Sequence, residues 1–112
     1  LPSDGTETWG LVVNEAMACG TPCVVSSSCG CSPDLIEDGV SGYVFPERDV
    51  AALGSILRRM ADRGRDGTHS LRSGAIKKVA AHSIPVASAA IMDAVNTVAE
   101  RKSHRVSVSS RN

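Results

Sequence analysis

Two carboxylates, Glu7 and Glu15, bracket a glycine-marked turn in the stretch T-E-T-W-G-L-V-V-N-E-A-M-A-C-G, residues 6–20. Glu15 is the one acid in an otherwise apolar helical pattern. An ionised carboxylate buried there must meet a cation, hydrogen-bond donors or the hydroxyls of a ligand. Glu7 stands eight positions earlier, just ahead of the helix. Gly10, in the first turn, lets a ligand approach the backbone closely. The unpaired N–H groups of a helix start and the helix dipole together favour an anion such as phosphate. Hydroxyl and phosphate recognition is the chemistry these residues could do. Two plainer roles stay open: Glu7 complementing the helix dipole, and Glu15 pairing with a lysine or arginine from elsewhere.

Four cysteines, Cys19, Cys23, Cys29 and Cys31, form a second cluster. They contain no C-x-x-C pair, and His69, His82 and His104 are scattered downstream, whereas zinc sites want paired ligands at turn spacing. The cysteines read as structural thiols, with metal binding or a thiol switch as weaker alternatives. Cys29 and Cys31 flank Gly30 in a loop.

The elements that position these residues follow from periodicity and punctuation. Thr8 is the expected cap of a helix over residues 9–19, apolar nearly all round and therefore expected to be buried. Gly20 stops it, with Pro22 beyond. Residues 21–26 read as a short strand buried on both faces, of the parallel-sheet kind. After a Ser/Gly loop, Ser32 and Pro33 open a short helix through Asp38. Residues 42–45 form a second strand. Asp49 caps an amphipathic helix to about Asp62, with Val50, Leu53, Ile56, Leu57 and Met60 on one face. Residues 63–68 read as a polar linker, and helices follow over about 69–81 and 85–102. Residues 103–112 read as a flexible tail. The fold class is α/β with short parallel strands flanked by helices. Two or three strands make an incomplete sheet, so the chain looks like the back half of a Rossmann-like domain.

Composition narrows the function classes. The chain has 112 residues, of which 42% are hydrophobic, 21% charged and 3% aromatic, which excludes disordered, collagenous and coiled-coil classes. No apolar run approaches the roughly 18 residues of a membrane span. The start has no secretory-signal pattern, and the missing initiator Met leads us to expect a chain that begins within a longer protein. The formal net charge is zero, yet eight of nine charges before residue 58 are acidic and eleven of fifteen from residue 58 onward are basic. Trp9, Tyr43 and Phe45 all lie in the acidic half. A nucleic-acid interface wants aromatics interleaved with basic residues, so no nucleic-acid partner is expected.

The segment from Pro2 to Phe45 resembles the donor-binding motif of the retaining, GT-B-type glycosyltransferases of family 4. That family carries two glutamates with seven residues between them, as Glu7 and Glu15 have. It follows the second with A-M-A-x-G-x-P, matched here by residues 16–22. Its glycine-containing loop, P-E/D-hydrophobic helix and D-G-x-x-G turn are similar to Cys29-Gly30-Cys31, Pro33-Asp34-Leu35-Ile36 and residues 38–42. The resemblance implies a GT-B C-terminal domain. Residues 1–62 would be its nucleotide-sugar-binding part, 63–102 closing helices and 103–112 a tail. It implies a transferase moving a sugar from a nucleotide-sugar donor to an acceptor hydroxyl, with retention of anomeric configuration. Glu7 would be catalytic and hold the donor sugar, Glu15 would take the ribose hydroxyls, and Thr8, Trp9, Gly10 and Leu11 would line the donor site. No metal and no cofactor is implied.

The match is not complete. Thr8-Trp9 stands where Gly-Phe is common, and Cys23 where valine is frequent. The family's Arg/Lys pair for the diphosphate has no counterpart, since Arg48 is the single base before Arg58. A fragment that is inactive alone is therefore expected, with its sugar or lipid-linked acceptor bound through a missing N-terminal domain. A cytoplasmic location follows, with peripheral contact at the inner membrane face as a secondary expectation. The alternatives are a non-catalytic remnant serving as an interaction piece, and a GT-B sugar-nucleotide epimerase or phosphorylase.

Overall fold

The structure, a computed structural model, describes residues 1–109, and side chains through Arg101. Its elements are α1 (Leu11–Ala18), β1 (Cys23–Ser26), α2 (Ser32–Leu35), β2 (Gly42–Phe45), α3 (Val50–Asp62), α4 (Gly64–Ala80) and α5 (Ile84–Ser109). They fall into two units, Leu1–Ala81 and His82–Asn112.

In the first unit β1 and β2 pair in parallel, with Cys23 opposite Gly42 and Ser26 opposite Phe45. The extended N-terminus lies against β1: the Leu1 amino group donates to the Val24 carbonyl at 2.6 Å. The Ser26 N–H donates back to the Leu1 carbonyl at 3.1 Å. Side chains alternate across this small sheet, as strand pleating dictates. Val25 enters a cluster with Val13, Met17, Cys29, Cys31, Leu35, Ile36 and Ala75, with Val44 packed against it. Tyr43 and Phe45 enter the other, with Ile56 and Leu71, and Val24 packs there too. Helix α4 serves both, through Ala75 and Leu71.

Several elements match their sequence signals. Asp49 caps α3, its carboxylate accepting from the Ala52 N–H at 2.8 Å. The α/β class and two short parallel strands stand as expected, but β1 begins at Cys23 rather than residue 21, and its first two residues are only half-buried. Other expectations need correction. Gly10, not Thr8, is the N-cap of α1, in a left-handed conformation with φ 94°. Helix α1 is not buried all round: Val13 and Met17 are, while Leu11 is 66% and Val12 55% exposed, because α1 packs on one side only, against α4 and β1. Helix α2 stops at Leu35 and is capped by Cys31 without a side-chain bond. The supposed linker is helical from Gly64 onward. There the buried packing of Leu71 and Ala75 overrides the low helix propensity of two glycines. Of the apolar face expected on α3, Ile56 is buried and Leu53 and Met60 pack against the same cluster, but Val50 is 79% and Leu57 52% exposed.

In the second unit, α5 begins at Ile84 and runs to Ser109, so residues 103–109 of the expected tail continue a helix. Residues 110–112 of that expectation lie outside the described residues. Ile84, Ile91, Val95 and Val98, spaced at three to seven residues, are exposed along it. No helix among the described residues is long and apolar enough to cross a membrane.

Candidate donor site at the start of α1

The turn from Glu7 to Leu11 is held from three sides. Glu7 Oε1 accepts from the Gly10 N–H at 3.0 Å and from the Trp9 N–H at 3.4 Å. The carboxylate therefore sits on the N-terminus of α1, where the helix dipole favours a negative charge. The Glu7 carbonyl accepts from the Gly30 N–H at 3.3 Å, and the Trp9 carbonyl from the Cys31 N–H at 2.8 Å. The loop after β1 thus clamps this turn. The indole is fixed as well, since Trp9 Nε1 donates to Asn14 Oδ1 at 2.7 Å.

Two glycines make the geometry possible. Gly10 is buried at φ 94°, and a Cβ there would come within 3.0 Å of Cys29 Sγ and 3.3 Å of Cys31 Sγ. At Gly30 a Cβ would run into the Thr8 carbonyl. Only glycine takes both places without strain. The paired thiols beneath Gly10 lie 3.6 Å apart and are both buried. Burial, followed by the hydrogen bond to Cys29, pushes the Cys31 thiol up to about 12. These two cysteines are packing under the site. Cys19 is exposed and Cys23 half-buried. Among the described residues no three His, Cys, Asp or Glu side chains come together as a metal would need.

Glu15 is exposed rather than buried, one turn past Leu11 on the same face of α1. Its exposure removes the energetic argument that it must meet a cation, hydrogen-bond donors or a ligand. Thr8 and Leu11 are exposed and Trp9 is half-buried. The Gly10 N–H is committed to Glu7. At a helix start the next N–H groups, those of Leu11 and Val12, have no intrahelical acceptor and remain for a ligand. Leu11 and Glu15 thus lie exposed on α1, one turn apart, behind a helix start on which the Glu7 carboxylate is seated. Sequence reasoning missed Asn14 and the Gly30 clamp. The spacing of Trp9 and Asn14 gave a weak signal for the first, and the C-G-C loop for the second.

Two parallel strands in an open sheet with helices around them define a small α/β domain, consistent with part of a Rossmann-like fold. The family model for glycosyl transferases group 1 matches residues 1–63. The chain belongs to that family. It is 39% identical over 74 residues to D-inositol 3-phosphate glycosyltransferase 1 of Catenulispora acidiphila, covering 66% of this chain and 17% of that protein. It is 40% identical over 60 residues to D-inositol 3-phosphate glycosyltransferase of Thermobifida fusca, covering 54% of this chain and 14% of that protein. It is 48% identical over 56 residues to the amylovoran biosynthesis glycosyltransferase AmsK of Erwinia amylovora, covering 50% and 14%. The chain thus spans less than a fifth of the length of these relatives.

Proposed function

We propose that this chain carries the donor half of a retaining, family 4, GT-B glycosyltransferase, and that it binds a nucleotide sugar along the open face of α1. The observation that carries the reading is the pair of acids: Glu7 fixed on the helix start by two backbone N–H groups, and Glu15 exposed one turn into the helix. Glu15 takes the ribose hydroxyls, since a carboxylate accepts from two vicinal donors at once. Glu7 Oε2 takes a hydroxyl of the donor sugar and faces the positive charge that develops at the anomeric carbon. The Leu11 and Val12 N–H groups face the diphosphate, whose charge grows as it leaves; donors fixed in advance lower that barrier. Neither metal nor cofactor takes part. The acceptor hydroxyl attacks from the face the diphosphate leaves, which retains configuration.

By this reading the chain as given binds donor but does not by itself transfer sugar. A cytoplasmic site of action, with peripheral contact at the inner membrane face, belongs to the same proposal. The test is amide-shift mapping on the labelled chain with UDP-glucose, UDP-N-acetylglucosamine and GDP-mannose. At least one should move the amides of residues 7–15. Shifts absent from that stretch for all three would refute the reading.

A further inference from the structure

Asn14 interrupts the apolar run of α1. Asparagine is a weak helix former, because its amide competes for backbone hydrogen bonds, so leucine or alanine would serve a purely helical position better. Here the amide is engaged elsewhere: Asn14 Oδ1 accepts from the Trp9 indole N–H at 2.7 Å. An indole N–H can only donate, so Asn14 has to present its oxygen, and the amide is fixed in one orientation. Trp9 is half-buried against the cluster that holds Val13, Met17, Cys29 and Cys31. Without its acceptor the indole N–H would either stay desolvated and unpaired or drag the ring toward water. Trp9 also carries the turn at its backbone. Its N–H donates to Glu7 Oε1, and its carbonyl accepts from the Cys31 N–H. Asn14 therefore ties the body of α1 to the turn that seats the Glu7 carboxylate, and it stands immediately before Glu15. The path between the two acids runs from Glu7 to Trp9, from Trp9 to Asn14, and one peptide bond on to Glu15.

We propose that Asn14 is a positioning residue: by holding the Trp9 indole it fixes the Glu7 turn at the distance from Glu15 that one nucleotide sugar has to span. The proposal rests on the donor reading, in which the two acids hold opposite ends of that ligand. Asn14 acts through Trp9 and is given no contact with the ligand. The ribose and diphosphate contacts of that reading belong to α1 itself, to Glu15 and the Leu11 and Val12 N–H groups. They do not depend on the strut. The sugar contact belongs to Glu7, on the far side of it. Losing the strut thus weakens the sugar end selectively, because a contact that is no longer preorganised has to be ordered on binding. A residue that only stabilised the helix would weaken both ends together, or neither. A phenylalanine at position 9 has no N–H to hold, and it leaves Asn14 nothing to act through.

Trp9 is the chain's single tryptophan, so one indole N–H resonance reports the strut directly. The experiment follows that resonance in the labelled full chain and measures two affinities by calorimetry. The probes are whichever of UDP-glucose, UDP-N-acetylglucosamine and GDP-mannose binds best, and the UDP or GDP that it contains. In Asn14→Leu the indole N–H should exchange with water at least tenfold faster, as a proton released from its acceptor does. Affinity for the nucleotide sugar should fall about fivefold, within the net worth of one hydrogen bond, and affinity for the nucleoside diphosphate less than about twofold. Trp9→Phe removes the same bond from the other side and should reproduce the selective loss. Adding Asn14→Leu to it should cost less than about twofold more, the signature of two residues acting as one. Equal losses for the two ligands, no loss for the nucleotide sugar, or an undiminished loss in the phenylalanine background overturns the proposal. If Asn14→Leu does not fold, Trp9→Phe decides by the same selective loss. A parent chain that binds none of the nucleotide sugars refutes the donor reading and this proposal with it. A parent that binds them, with variants that lose both ligands alike, refutes this proposal alone.

Discussion

Glu7 does two jobs that a substitution can separate. As a cap it accepts from the Gly10 and Trp9 N–H groups; as a proposed donor ligand it offers Oε2 and its charge. Glu7→Ala should cost about 1 kcal/mol in urea unfolding, the usual worth of a cap. Glu7→Gln keeps an amide oxygen for the cap and should recover most of that stability while still weakening donor binding. Identical losses in both variants would make Glu7 a cap and nothing more. Gly30→Ala is harsher, because the new Cβ meets the Thr8 carbonyl rather than a movable side chain. We expect about 2–3 kcal/mol of destabilisation, the cost of a backbone clash at a special position. A change under about 0.5 kcal/mol would show that the clamp is not tight. Cys31 supplies a pH signature. Its folded thiol keeps the proton up to about 12, against an ordinary value of 9.0. The unfolded chain therefore sheds that proton first, and stability is whole below pH 9 and declines as pH climbs from about 9 toward 12. The urea midpoint of Cys31→Ala should fall less steeply over that window than the parent's; equal slopes would contradict the cause assigned here.

The elements divide by what fixed them. Helix α3 was legible from Asp49 and its apolar period, since cap and pattern are local. Asp49→Ala should lower stability by about 1 kcal/mol and Asp49→Asn by much less, read from urea midpoints. Both strands were legible because short apolar runs lay between glycine and proline stops. Helix α4 was only half legible. Its first turn contains Gly64 and Gly67, which read as a linker, and its place is set by Leu71 and Ala75 reaching both core clusters, a tertiary fact. The burial of α1 was misjudged for the same reason. Apolar composition says that a helix can be buried, but only a neighbour makes it so. The site divides likewise. The spacing of Glu7 and Glu15 was plain in the sequence, whereas the left-handed Gly10 cap, the Gly30 clamp and the thiols beneath depend on how two distant loops meet.

At the scale of the whole molecule, the family match over residues 1–63 covers the sheet, both glutamates and α3, and stops at the start of α4. The region that the proposed function needs is thus the region that the family shares. The open face of α1, with Leu11, Val12 and Glu15 exposed, agrees with a surface kept for a ligand rather than for the core. Glu15 gives the most direct test, because it is exposed and no structural bond depends on it, so its replacement should leave stability within about 0.5 kcal/mol. The measurement is the calorimetric affinity of the best nucleotide sugar for the chain and for Glu15→Ala, with melting temperatures alongside. The account predicts at least a tenfold loss of affinity, about 1.4 kcal/mol, with melting unchanged. Equal affinity in the two proteins would contradict it, and Glu15 would then be an exposed acid with no part in binding the donor.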